Sequence, residues 1–135
     1  MELWRRAWRE RIAPQIPLDE LEALKEGLRT NDEHLVQGAT CSEDKSGKPC
    51  GGCAIVYGGA KLGKYSGDRA ARTEFNRIVD MVDAEPMRDG NHRYPLPADE
   101  FIGFFDNSSR DEMIALFLPE VELAIATRKE GTACA

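Results

Sequence analysis

The chain has 135 residues, of which 41% are hydrophobic and 31% charged, and it carries a net charge of −6 at neutral pH. That length and apolar content suit one ordinary domain spanning residues 1–135 and argue against wholesale disorder, because burial of so much apolar surface offsets the entropy of ordering. The acidic balance makes nucleic acid an unfavourable partner, since phosphate backbones need a basic footprint, and the longest apolar run, 113–119, is far below the ~20 residues of a membrane-spanning helix.

The opening MELWRRAWRERIAP has positive charges but no apolar stretch behind them, so it does not read as an export signal. A cytoplasmic location is therefore expected, with the four cysteines kept as thiols or used as metal ligands. Leu3, Trp4, Ala7, Trp8 and Ile12 share one side of a helix over 3–12, with Arg5, Arg6 and Arg9 opposite and Pro14 just beyond its end. A helix docked on the core is the expected form.

A second helix is expected over 19–30, opened by a capping box of Asp19 and Glu22 and carrying the stripe Leu18, Leu21, Leu24 and Leu28. Asn31 or Asp32 can cap a further short turn through His34, which Gly38 ends. Residues 38–67 then form an irregular insert holding three of the four cysteines and eight of the twelve glycines. Within it, 42–49 reads as a loop, and 54–57 as buried extended chain or a helical turn.

A third helix should run from Ser66 or Asp68 to about Ala84, with Ala71, Phe75, Ile78 and Val82 on one face. After an irregular connection rich in proline, a short apolar helix is expected over 99–106. Ser109 and Glu112 form another capping box, opening a helix with the stripe Ile114, Phe117, Leu118, Val121 and Ile125. Pro119 should kink or break it, and Gly131 should end it. The fold class is thus mainly α: about five helices around one core, with a Gly/Cys-rich insert.

Two motifs in the insert carry chemistry. The pair Cys50-Gly-Gly-Cys53 is half of a thiolate metal site, and Cys41 with His34 would complete a zinc set; His92 and Cys134 are alternatives for the fourth ligand. The competing reading is a set of reduced thiols, with Cys53 packed as a small hydrophobe. Gly58-x4-Gly63-Lys64 matches most of a phosphate-binding loop, whose backbone N–H groups would cradle an anion. Tyr65 occupies the position where that loop needs a small hydroxyl for Mg²⁺, and the fold lacks the parallel strands of nucleotide hydrolases.

No hydrolytic constellation stands out, and paired acids such as Asp99 and Glu100 suit the first turn of a helix. The leading functional expectation is a non-enzymatic helical module, an adaptor or regulator that binds a protein. Trp4, Arg5, Trp8 and Arg9 are its candidate anchors, together with the acidic C-terminal helix, because Trp and Arg are favoured at interfaces. The same faces allow a homo-oligomer. The alternative function is anion or nucleotide binding by the loop 58–66.

Overall fold

The computed structural model describes residues 1–91 and 93–134, the side chains of 132–134 excepted. Its described residues are mainly helical, with six α-helices and one two-stranded hairpin. Helix α1, Leu3–Ala7, continues through a π-turn, Trp8–Ile12, and a 3-10 turn, Ala13–Gln15, so the segment stays coiled through Pro14, expected to lie beyond its end. Pro14 is tolerated because it sits in the first turn of the 3-10 piece.

Helix α2, Leu18–Arg29, begins after Pro17 without a side-chain cap. The capping box foreseen there is not made: Asp19 accepts the N–H of Glu20 at 2.9 Å and also binds Lys64. Strands β1, Cys41–Glu43, and β2, Pro49–Gly52, pair antiparallel with an irregularity at Ser42/Glu43. The loop expected over 42–49 thus includes most of β1 and the first residue of β2, while residues 50–52, expected as part of a metal half-site or a turn, extend as strand. The strands are short, and β2 carries two glycines, so the stretch shows little alternation of apolar and polar side chains.

Residues 54–57 are buried and turn into helix α3, Tyr57–Lys61. Helix α4, Asp68–Val82, and helix α5, Pro97–Asn107, fall close to their expected positions. Helix α6, Arg110–Cys134, runs unbroken through Pro119 and past Gly131. Ala115 and Pro119 both lie on its exposed side, so the carbonyl deprived of a partner can turn to water, while Met113, Phe117 and Val121 bury both halves in the same core. Among the described residues no helix is long and apolar enough to cross a membrane.

The centre of the fold is aromatic. Trp8 lies edge-on to Phe117, centroids 4.7 Å apart, and stacks on Phe101 at 5.3 Å, while Trp4 stacks on Phe104 at 3.7 Å. Leu21, Leu24, Leu28, Ile78, Val82, Phe105, Phe117 and Val121 are buried around it as their stripes predict. Phe75 and Ile114 are only half-buried at its edge.

Candidate functional site

Asp32 organises the turn that follows α2. Its carboxylate accepts the N–H of His34 at 3.0 Å and the Tyr57 hydroxyl, and it pairs with the Lys61 ammonium at 2.9 Å. Burial alone would push this carboxyl up, but the hydrogen bonds from Tyr57, His34 and Lys61 outweigh it and hold it down at about 2. Arg110 fixes the same turn from α6, donating to Asn31 Oδ1 at 2.8 Å and to the Asp32 carbonyl at 2.7 Å.

Strand β2 lies directly against this turn. The Gly52 N–H donates to the His34 carbonyl and the Val36 N–H to the Gly52 carbonyl, both at 2.9 Å. Any Cβ on Gly51 would come 2.1 Å from the His34 carbonyl oxygen, so only glycine allows the two backbones to meet. The approach sets Cys50 Sγ 3.5 Å from His34 Nδ1, 3.6 Å from the Ser42 carbonyl and 3.9 Å from Ser42 Oγ.

Of the four residues proposed as a zinc set, the structure thus brings His34 and Cys50 together. Cys41 is placed by Asp68 and Arg72, and its thiol is pushed up to about 11, chiefly by burial and then by the Asp68 charge. Cys53 is buried beside Ala54 and Ile55, and burial pushes its thiol up to about 11 as well. Gly51 and Gly52 extend as strand instead of curling into a chelating knuckle. Among the described residues no three His, Cys, Asp or Glu side chains converge as a metal site requires. His92 lies outside the described residues, as does the side chain of Cys134.

The loop 58–66 has a different geometry from a phosphate cradle. Gly58 and Gly59 belong to α3 and are buried; a Cβ on Gly58 would lie 2.4 Å from the Glu20 carbonyl oxygen, so Gly58 lets α3 press onto α2, and one on Gly59 would meet the Tyr65 hydroxyl at 2.5 Å. The N–H groups of Leu62, Gly63 and Lys64 are spent on the carbonyls of Gly58, Ala60 and Gly59. Gly63, at φ +71°, takes the left-handed conformation that ends the helix. The Lys64 ammonium bridges Glu20 at 2.8 Å and Asp19 at 3.0 Å, and the bond to Glu20 contributes most to raising its proton affinity.

The proposed anchors of the first helix are also placed otherwise than as free contacts. Trp8 is fully buried and Trp4 is 8% exposed, because their rings fill the aromatic centre. Arg9 binds both oxygens of the buried Glu120, at 2.6 and 2.8 Å, and Arg5 Nε lies 3.1 Å from the same carboxylate, near enough for an ion pair although its N–H makes no hydrogen bond. Trp8 Nε1 donates to the Glu120 carbonyl at 3.3 Å.

Beside these contacts an open, mostly apolar groove of about 660 Å³ separates the N-terminal segment from α6. One wall is Glu120, Leu123, Ala124, Thr127, Arg128 and Gly131, spaced three and four apart and therefore a single face of α6. The other wall includes Ala13 and Pro14, and Arg128 crosses between the walls to donate to the Ala13 and Ile16 carbonyls at 3.0 Å. Leu123, 44% exposed, and Leu116, 37% exposed, form an apolar line outside the buried stripe of α6. Sequence reasoning missed this groove; Leu123, off the main stripe of α6, lines it, whereas Leu116, seven residues earlier, lies outside it. Compared with protein-family models, curated proteins and solved structures, the chain matches none.

Proposed function

We propose that the protein is a non-enzymatic binding module, an adaptor or regulator, whose groove between the N-terminal segment and α6 receives an amphipathic helix of a protein partner. The observation that carries this reading is the second apolar line of α6. A helix that is apolar on more than one side is normally covered on each of them, and here Leu123 remains exposed on the groove wall, with Leu116 exposed two turns before it and outside the groove.

The shape favours a helix as occupant. The face from Glu120 to Gly131 spans ~16 Å at 1.5 Å per residue, which matches about three helical turns. Small residues at Ala124, Thr127 and Gly131 let another backbone come close. Two copies of a concave face cannot fill each other, so a convex segment of a different protein fits better than a second copy. A reducing compartment such as the cytoplasm suits this reading, because free cysteines such as Cys50 stay reduced there.

The test is a display library of helical peptides, selected on the immobilised full chain and counter-selected against Gly131→Trp. Gly131 lines the groove, and a Cβ there meets nothing within 4 Å, so a bulky side chain at this position begins in open space. Selected peptides should carry apolar residues at i, i+3 or i+4, and i+7, and should lose at least about tenfold in affinity for Gly131→Trp and for Leu123→Glu. Peptides that bind both variants as well as the parent chain would sink the reading. A dimer of the parent chain, dissociated by the same substitutions, would show that a second copy is the occupant.

A further inference from the structure

We infer that Cys50 is the reactive thiol of this protein, a modification site that exchanges with small disulfides and uses His34 as its proton acceptor. The inference is independent of the groove. It rests on a nucleophile and a base held together by backbone: the Gly51 contact and the two bonds across Gly52 fix β2 against residue 34, and Asp32 fixes the turn that carries the imidazole.

Two acceptors face the Cys50 thiol, the His34 ring nitrogen at 3.5 Å and the Ser42 carbonyl at 3.6 Å, and of these only the imidazole can take the proton away. The exchange requires the tautomer with its proton on Nε2, the nitrogen 3.7 Å from Glu33 Oε1, which leaves the Nδ1 lone pair facing Cys50 Sγ at 3.5 Å. The Ser42 hydroxyl, 3.9 Å from the sulfur, can donate to a thiolate. Both Cys50 and the imidazole are partly open to solvent, with the His34 side chain 40% exposed. Cys41 is equally half-buried but has Asp68 beside it, which opposes a second negative charge, and Cys53 is enclosed. Accessibility alone therefore does not separate Cys50 from Cys41, whereas the neighbouring base does.

In the exchange, Nδ1 takes the Sγ proton and the thiolate attacks one sulfur of a disulfide RS–SR. The Cys50–SR bond forms as the S–S bond breaks. The departing thiolate leaves with the electron pair and takes the proton from Nδ1 as RSH, so that Cys50 is oxidised and one sulfur of RS–SR is reduced.

The experiment uses the full folded chain with Cys134→Ser, so that only the three described thiols react. The probe is 4,4′-dithiodipyridine, with release of thiopyridone followed by absorbance and each site assigned by peptide mass spectrometry. Cys50 should react first, at least about tenfold faster than Cys41, and His34→Gln should slow Cys50 by about tenfold while leaving Cys41 unchanged. Oxidised glutathione should then give a mixed disulfide at Cys50. Equal rates at Cys50 and Cys41 in the native chain would overturn the inference, and that comparison needs no variant to fold. So would an unchanged Cys50 rate in a folded His34→Gln chain.

Discussion

The α-hydrogen of Gly51 faces the carbonyl oxygen of His34 where a methyl group would stand 2.1 Å from it. The obstructing atom belongs to backbone that is itself hydrogen-bonded to Gly52, so it cannot rotate aside as a side chain would. Gly51→Ala should therefore cost about 3 kcal/mol in urea unfolding, as overpacking against fixed atoms does. A loss below about 0.5 kcal/mol would mean that β2 can move off the turn freely.

Acid should expose the role of Asp32. Its carboxyl is held at about 2 in the fold against an ordinary value of 3.8, so it binds its proton more weakly when folded than when unfolded. The linked stabilisation is fully present above about pH 4 and is lost as pH falls through about 2, and its full size is roughly 2 kcal/mol. Urea titrations of the parent chain and Asp32→Asn between pH 6 and pH 2.5 should show a gap that narrows towards acid. A gap of constant width would assign the effect of the substitution to lost packing.

Glu120 should matter more than either of its partners. Its carboxylate is buried, with Arg9 and Arg5 closing on it from the N-terminal segment. Without Glu120, two guanidinium groups face each other with no anion between them; without Arg9, Arg5 still pairs with the carboxylate. Thermal melts of Glu120→Ala and Arg9→Ala should rank in that order. The reverse order would show that Arg9 stabilises the segment mainly through the packing of its stem.

Phe117 and Ile114 lie one turn apart on the stripe read from sequence, yet only Phe117 is fully buried. Phe117→Ala should cost about 3–5 kcal/mol, because the cavity opens among Trp8, Phe101 and Phe105. Ile114→Ala should cost clearly less. Equal losses in denaturant midpoint would show that Ile114 is covered in solution by something beyond this chain.

The helices were legible because their apolar residues recur with the helical period: Leu21, Leu24 and Leu28 on α2, and Phe117 and Val121 on α6, bury as their spacing requires. The short elements were not. Cys50-Gly-Gly-Cys53 has the spacing of a metal knuckle, and nothing local reveals that its glycines are spaces kept for His34 and Thr40. Gly58-x4-Gly63-Lys64 resembled a phosphate loop for the same reason: the carboxylates that claim Lys64 lie more than forty positions upstream. Burial of Glu20 and Glu120 was hidden likewise, since a carboxylate goes inside only with a cation, and these cations come from remote parts of the chain.

The bond from Trp8 to the Glu120 carbonyl joins positions 112 apart in sequence, and the indole's ring partners, Phe101 and Phe117, are almost as distant. During synthesis Trp4 and Trp8 are made about ninety residues or more before Phe101, Phe104 and Phe117, and their rings lack these partners until α5 and much of α6 have followed. The aromatic centre therefore closes only after α6 is made, and the two indoles stay uncovered until then. A chaperone that holds exposed apolar stretches would find one in residues 3–12.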